Sequence, residues 1–172
     1  PELKLTEEDI RTIRRIHIVA CGTAYHSGIV GKSVIEQLTR IPVETDIASE
    51  YRYRDPIITP DTLVIVVSQS GETADTLAAL REAKRQGARV VAITNVVGSS
   101  VAREADDVIL TMAGPDIAVA STKAYTTMLI AFYLFGMYMA QVLQTVPASH
   151  IAEIIEAMER LPEQVEELLT RA

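Results

Sequence analysis

The sequence predicts an α/β fold of three layers, in which helices cover both faces of a five-stranded parallel sheet. Short apolar runs alternate along the chain with longer segments of helical spacing, which is the pattern of strands joined by helical crossovers. The run at residues 63–67 is apolar and mostly β-branched without interruption, as in a strand that is buried on both faces. Turns rich in small and hydroxyl residues directly follow two of the runs.

The first elements are expected to be a short helix and a strand. Thr6 precedes three acidic residues at 7–9, and negative charge suits the N-terminus of a helix because of the helix dipole. Residues 16–21 form an apolar run closed by Gly22, and we expect a strand there. His17 lies within this run, and we expect a packed, hydrogen-bonded histidine.

A second helix is expected from the turn at residues 22–28 onward. Residues 28–33 superficially resemble a nucleotide-binding P-loop, but that motif needs a glycine five residues before Gly31, where this chain has His26. Lys32 also falls inside the expected helix. We therefore do not predict a nucleotide site.

The stretch at residues 62–77 organises the rest of the chain. Gly71 allows a tight turn after the buried strand, and from Glu72 onward the apolar spacing predicts a helix. The free N–H groups of a first helical turn, together with the helix dipole, favour an anion. Four polar side chains follow the apolar run within six positions: Ser68, Gln69, Ser70 and Thr73.

Three further strands complete the expected sheet. Residues 43–47 alternate as in a more exposed strand, and residues 90–94 and 108–110 are apolar runs. Ser99 or Ser100 is expected to cap a short helix between the last two. We expect the flavodoxin-like order 2-1-3-4-5, which places the turns after strands one and three side by side, at the switch point where such sheets bind ligands.

Two helices are expected at the C-terminal end. Residues 128–140 are almost wholly apolar, which is too short for a bilayer of about 20 residues and indicates burial in the core, in a subunit contact, or both. We expect both, with a homodimer. An amphipathic helix follows, which Pro162 should kink or divide. We therefore expect a domain at 1–146 and a helical extension at 147–172, which packs on the domain or links to a further one.

Composition limits the classes of partner. A net charge of −7 over 172 residues argues against nucleic acid, which requires clustered lysine and arginine. We also expect no membrane partner, no metal and no cofactor. The single cysteine, Cys21, suits a reducing cytosol, and we expect a cytoplasmic protein. Because the chain opens on Pro1, we expect a fragment or a processed chain.

Hydrogen-bond donors gather at three expected helix starts: Thr23, residues 68–73 and residues 121–123. A helix dipole contributes about 0.3–2 kcal/mol to an anion, and a hydrogen bond to a charged group about 1.5–3 kcal/mol. Micromolar binding needs about 8 kcal/mol, so three or four donors would suffice where the dipole alone would not. The alternative is that Ser70 and Thr73 only cap their helix.

These motifs resemble the SIS (sugar isomerase) domain family. Residues 68–76, Ser-Gln-Ser-Gly-Glu-Thr-Ala-Asp-Thr, are similar to the family's sugar-phosphate loop. Three further segments narrow the resemblance to the first of the two SIS halves in the isomerising aminotransferases that make glucosamine 6-phosphate: Cys-Gly-Thr at 21–23, Ala-Ser-Glu-Tyr-Arg-Tyr-Arg at 48–54, and Val-Ala-Ser-Thr-Lys-Ala at 119–124. The resemblance covers nearly the whole chain.

The resemblance implies a hexose 6-phosphate ligand, either fructose 6-phosphate or glucosamine 6-phosphate, and a role in amino-sugar synthesis. Ala24 stands where many members have serine, so one hydroxyl contact of the family is not expected. The implied phosphate ligands are Ser68, Gln69, Ser70 and Thr73, and the implied sugar contacts are Thr23, the backbone around Val119, and Ser121.

The resemblance also implies that the catalytic groups lie outside this chain. Aldose–ketose isomerisation needs a base and an acid, and the family carries them on a second SIS domain and a C-terminal tail, while a separate glutaminase domain supplies an N-terminal cysteine. We therefore expect a substrate-binding half of a transferase with little turnover alone. Two alternatives stay open: a self-sufficient single-domain phosphosugar isomerase, and a regulatory module that senses a phosphosugar.

Overall fold

The computed structural model of the chain describes residues 3–116 and 121–171. Helices and strands alternate through most of it, as expected. In chain order the elements are α1 (Glu7–Thr12), β1 (Arg15–Ala20), α2 (Gly22–Thr39), β2 (Val43–Ile47), α3 (Ala48–Tyr51), β3 (Thr62–Ser68), α4 (Ala74–Arg85), β4 (Arg89–Thr94), α5 (Ser100–Glu104), β5 (Asp107–Leu110), α6 (Ala124–Leu143) and α7 (Ala148–Arg171).

The five strands form one parallel sheet in the order β2-β1-β3-β4-β5, which confirms the predicted fold class. Ala20 at the end of β1 pairs with Val67 of β3, and Ser68 pairs with Thr94 of β4. The carboxyl ends of β1, β3 and β4 therefore meet at one edge, because parallel strands all run in the same direction.

Helices cover both faces of the sheet, and alternate residues of each strand enter opposite cores. Ile16 and Ile18 of β1 belong to the core beneath α1, α2 and α6, whereas Val19 belongs to the core beneath α3, α4 and α5. The side chains of β3 are all buried, which matches the expected strand covered on both faces. This central strand carries the polar turn at its carboxyl end.

His17 is a packed histidine, as predicted. Its side chain is buried, and its Nδ1 lies 3.3 Å from the hydroxyl of Tyr51 in α3. Its Nε2 lies 4.0 Å from a carboxylate oxygen of Glu44. Because removal from water disfavours the imidazolium ion, burial lowers the pKa of His17, and the carboxylate of Glu44 partly opposes this effect.

The long apolar helix is central, and it is longer than the apolar run predicted. Helix α6 packs along α2 and also contacts α1 and β4, with Phe132 and Met139 completely buried. It spans 20 residues and, within the described ranges, it alone is long and apolar enough to cross a membrane by length and composition. The expectation that this apolar segment is too short to cross a bilayer was therefore wrong. Half of the apolar stretch is buried inside the domain, which is the environment of a core helix.

Helix α7 begins on the domain and continues beyond it. Ile151, Ile154 and Met158 pack against α2 and α6, whereas Val165 and Leu168 on the second half are exposed. Pro162 lies inside one continuous helix, so the predicted division into a second segment is wrong, while the alternative, a kink at Pro162, stays a prediction. A proline removes one backbone hydrogen bond, and here the helix continues on both sides of it.

Candidate functional site

The predicted switch point is a cleft at the carboxyl edge of the sheet. It lies between the ends of β1 and β3 and the start of α6, with a volume of about 250 Å³. Thr23 reaches it from α2, and Ser121 reaches it from the residues before α6. Val119, the remaining predicted contact, lies outside the described residues. The lining residues are Cys21, Thr23, Ala24, Val67, Ser68, Gln69, Ser70, Thr73, Thr76, Asp116, Ser121, Ala124, Tyr125 and Met128.

The loop at residues 68–73, hereafter the phosphate loop after the ligand expected for it, is held by its own hydroxyl groups. The Oγ of Ser68 accepts the backbone N–H of Gly71 at 3.0 Å and lies 3.0 Å from Oγ1 of Thr73. The Oγ of Ser70 accepts the N–H of Glu72 at 3.2 Å. One hydroxyl of the Ser68–Thr73 pair donates to the other, which leaves the second hydroxyl of the pair and that of Ser70 with hydrogens to donate elsewhere. The loop is therefore ordered in a form that keeps donors for a ligand.

The capping alternative does not describe this loop. Thr73 is the N-cap residue of α4, but its side chain makes no capping hydrogen bond. Helix α4 begins at Ala74, two residues later than the predicted start at Glu72. The delay follows from the turn that the Ser68 hydroxyl closes at Gly71, because that turn keeps the intervening residues out of the helix.

Gly71 is required by both its conformation and its surroundings. Its φ is +66°, in the left-handed region, where a side chain is disfavoured. A Cβ added there would lie 2.5 Å from Cβ of Ser99 and 2.9 Å from Oγ1 of Thr94, closer than real Cβ atoms approach. The predicted tight turn is confirmed, and it packs directly against the end of β4.

The segment between β4 and α5, together with the start of α5, makes hydrogen bonds to the phosphate loop. The N–H of Asn95 donates to the carbonyl oxygen of Gln69 at 3.1 Å, and the N–H of Val101 donates to that of Gly71 at 3.0 Å. The carboxylate of Glu72 accepts the N–H of Ser100 at 2.7 Å, and this bond lowers the pKa of Glu72. Glu72 therefore acts as an acceptor at the start of α5.

The cleft offers an anion neutral donors and no cation among the residues that the structure describes. Serine and threonine hydroxyls, the amide of Gln69 and the N-terminus of α4 supply hydrogen-bond donors. Asp116 is the one carboxylate in the described lining. Since it would repel a phosphate, it suits the end of a ligand that carries hydroxyl or amino groups. The donors of the loop and the carboxylate of Asp116 therefore give the two ends of the cleft different chemistry.

Sequence reasoning missed three polar lining residues: Thr76, Asp116 and Tyr125. Thr76 follows Thr73 by three positions, which puts the two on one helical face, so helical spacing could have found it. Asp116 precedes the predicted Ser121 in the sequence and Tyr125 follows it. Only the fold shows that these two residues also line the cleft. The predicted Thr23, Gln69 and Ser121 all lie in the lining.

Comparison with known proteins identifies similar sequences. The profile described as SIS domain matches residues 9–138. A glutamine–fructose-6-phosphate aminotransferase (isomerizing) of Clostridium acetobutylicum is 65% identical over 98% of this chain and 28% of that protein. The protein of the same name from Caldanaerobacter subterraneus is 61% identical over 97% of this chain and 28% of that protein. The chain spans just over a quarter of the length of these curated relatives.

A solved structure shares the fold. The C-terminal domain of glucosamine-fructose-6-phosphate aminotransferase from Francisella tularensis superposes with a TM-score of 0.86 at 41% identity. The match covers 90% of this chain and 44% of that chain. The solved domain is thus about twice as long as the part of it that corresponds to this chain.

Proposed function

The chain belongs to the SIS domain family, and we propose that it is the sugar-phosphate-binding half of the isomerase portion of a glutamine–fructose-6-phosphate aminotransferase. In this role it would bind fructose 6-phosphate and glucosamine 6-phosphate during amino-sugar synthesis in the cytoplasm. The relatives at 65% and 61% identity carry that enzyme name, which supports the choice of parent enzyme.

One observation carries the proposal. The phosphate loop, Thr23 and Ser121 come from three separate parts of the sequence, and they line one cleft at the switch point of the sheet. We assign Ser68, Gln69, Ser70 and Thr73 to the phosphate, and Thr23, Ser121 and the backbone around Val119 to the sugar. Hydrogen bonds to a charged group contribute about 1.5–3 kcal/mol each, so this set of donors can support micromolar affinity.

We further propose that this chain binds the substrate without transforming it. Isomerisation needs a group that can accept a proton from carbon and return it. Glu72, the acid within the phosphate loop, already accepts the N–H of Ser100. Asp116 is the one carboxylate in the described lining. The remaining acid–base groups would come from other parts of the parent protein.

The parent protein is expected to cover two surfaces of the chain. The second half of α7 exposes a stripe of apolar residues, and we propose that the second SIS domain of the parent packs against it, with a glutaminase domain elsewhere in the same protein. We also propose a homodimer in which the outer face of α6 takes part. The exposed apolar residues concerned are Leu134 on α6 and Leu161, Val165, Leu168 and Leu169 on α7.

Calorimetry on the 172-residue chain tests the binding function. We expect it to bind glucosamine 6-phosphate and fructose 6-phosphate, and we expect the double variant Ser70→Ala/Thr73→Val to bind both at least about tenfold more weakly. Ser33→Ala, which removes an exposed hydroxyl on α2, serves as the matched control and should leave both affinities unchanged. Equal affinity of the double variant and the parent chain would refute the assignment.

An isomerase assay separates the alternatives. We expect no conversion of fructose 6-phosphate by the isolated chain at concentrations where calorimetry detects binding. Sustained conversion would instead support a self-sufficient single-domain isomerase, with residues shared across a homodimer. Binding without conversion is common to our proposal and to a regulatory module. Restored turnover on mixing with the remainder of a parent enzyme would favour our proposal over that module.

A further inference from the structure

We propose that Asn95 is a positioning residue that fixes the Asp116 side of the cleft relative to the phosphate loop. The inference deepens the proposed function, since it concerns the same cleft. It rests on residues 111–116, hereafter the strap, which run from the end of β5 to Asp116 at the cleft. Asn95 follows β4 and contacts both the phosphate loop and the strap.

The backbone of Asn95 is tied to the phosphate loop. Its N–H donates to the carbonyl oxygen of Gln69 at 3.1 Å. The preceding residue, Thr94, directs its hydroxyl to the same carbonyl at 3.4 Å. Because these bonds involve main-chain atoms of Asn95 and a neighbouring side chain, a substitution of the Asn95 side chain leaves them in place.

The side chain of Asn95 is tied to the strap. Its Oδ1 accepts the N–H of Ala113 at 2.8 Å and the hydroxyl of Thr111 at 3.0 Å. Its Nδ2 donates to the carbonyl oxygen of Gly114 at 2.7 Å. Three groups within four residues are therefore satisfied by one carboxamide, which has both the acceptor and the donors that they require.

The strap needs an external support of this kind. Met112 has a φ of +53° and Gly114 a φ of +71°, and a non-glycine residue in the left-handed region persists only where the surroundings stabilise it. The Met112 side chain is 77% exposed, so its own packing contributes little. Hydrogen bonds to Asn95 on both sides of Met112 supply the support. Two residues beyond Gly114, the chain reaches Asp116 at the cleft.

This connection gives Asn95 a selective effect on the ligand. The phosphate loop keeps its own hydroxyl bonds and its bond to the Asn95 N–H in any side-chain variant, so phosphate binding should persist. The strap would keep the bond from the N–H of Thr111 to the carbonyl oxygen of Thr94. Residues 113–116 would lose their anchor, and Asp116 would no longer be held toward the sugar. We therefore expect a loss of affinity that depends on whether the probe carries a sugar.

Two probes separate these contributions in a calorimetric experiment. Inorganic phosphate reports on the phosphate loop alone, with its Kd obtained by competition against glucosamine 6-phosphate, which reports on both sides of the cleft. For Asn95→Ala we expect about tenfold weaker binding of glucosamine 6-phosphate, with the Kd of phosphate unchanged within about twofold. Asn95→Asp keeps the two acceptor bonds and loses the donor to Gly114, and it should fall between the parent and Asn95→Ala.

Thr39→Val is the control for general destabilisation. The buried Thr39 hydroxyl donates to the carbonyl of Ile35 at 2.7 Å and accepts the N–H of Ile41 at 3.2 Å, at the end of α2 away from the cleft. This variant should lower Tm and leave both affinities within about twofold of the parent. Losses for Asn95→Ala that are equal for the two probes, or absent for both, would overturn the proposal.

Hydrogen exchange tests the same inference without a ligand. In Asn95→Ala the amide of Ala113 and its neighbours in the strap should exchange faster, while the amide of Gly71 in the phosphate loop keeps its parent rate. Equal acceleration of both segments, or of neither, would contradict the role of Asn95. If the parent chain bound neither probe, the proposed function would fail, and this exchange experiment would still decide whether Asn95 positions the strap.

Discussion

The hydroxyl groups of Ser68 and Thr73 lie 3.0 Å apart and join the last residue of β3 to the N-cap of α4. Ser68 also accepts the N–H of Gly71, which is buried between them. The polar turn is thus closed by hydrogen bonds between its own residues. A preformed turn reduces the ordering cost of binding.

Replacing Ser68 should cost more stability than replacing Thr73. Ser68→Ala leaves the buried N–H of Gly71 without its acceptor, and an unpaired buried group costs about 1–3 kcal/mol. Thr73→Val removes one hydroxyl contact and leaves the bond to Gly71 intact, so we expect a loss of about 0.5–1.5 kcal/mol. Urea denaturation gives both free energies of unfolding. The reverse ranking would show that the Gly71 bond is not what orders the turn.

Substitution of Gly71 should be far more damaging than substitution of a glycine with similar backbone but open surroundings. Gly87 has a φ of +89° and nothing within 4 Å of an added Cβ, so Gly87→Ala should cost only the left-handed penalty of about 1–2 kcal/mol. Gly71→Ala adds the contacts with Ser99 and Thr94, for a further loss of about 1–3 kcal/mol. Thermal unfolding of the two variants measures the difference, and equal losses would contradict the close packing.

Thr76 carries a hydroxyl whose removal should not destabilise the chain. Its side chain is completely buried, and its Oγ1 has no hydrogen-bond partner among the residues that the structure describes. Thr76→Val should therefore raise the free energy of unfolding or leave it within about 0.5 kcal/mol. Thr39→Val, which removes two hydrogen bonds, should lower it by about 1–3 kcal/mol. Equal destabilisation of the two variants, by urea denaturation, would mean that Thr76 has a partner.

His17 should make the chain less stable as the pH falls below neutrality. Burial lowers its pKa in the folded chain below the ordinary value of 6.5, so the unfolded chain binds a proton first as the pH falls through 6.5. The contribution of the neutral His17 to the free energy of unfolding is therefore fully present above pH 6.5, and it is lost as the pH falls below this value. The titratable and charged groups around the His17 imidazole are Tyr51, Glu44, Asp46, Arg15 and Arg54.

The variant His17→Gln tests this dependence. We expect free energies of unfolding measured between pH 5 and 7.5 to vary less with pH than those of the parent, because glutamine does not titrate. His26→Gln, which replaces an exposed histidine by the same residue, is the matched control. An unchanged slope in His17→Gln would assign the dependence to other groups.

Local pattern predicted most of the fold and much of the cleft lining. The uninterrupted run ending at Val67, followed by Gly71, determined both the buried strand and its turn, because these signals lie within a few residues of each other. The strand order follows from fold class, and this order alone predicts that Thr23 lies beside the phosphate loop.

What the sequence did not reveal depends on contacts between distant segments. Nothing near Asn95 indicates that its carboxamide meets Gly114, since the two are joined only by the approach of the strap to the end of β4. Helix α7 likewise continues through Pro162. Whether it does so depends on the free energy lost with one backbone hydrogen bond against that gained by the rest of the helix, and local propensity alone does not decide this. The assignment of each lining residue to phosphate or sugar stays a prediction until ligands are bound.

The hydroxyl and amide donors of the phosphate loop have a consequence for the protonation state of the proposed ligand. A phosphate monoester passes between its dianion and monoanion near pH 6, and a site built on lysine or arginine has no acceptor to offer the added proton. A hydroxyl such as that of Ser70 can rotate and accept it instead. On the proposed assignment, the phosphate loop can hold both forms of a phosphosugar, and its affinity should change little as the surrounding medium acidifies.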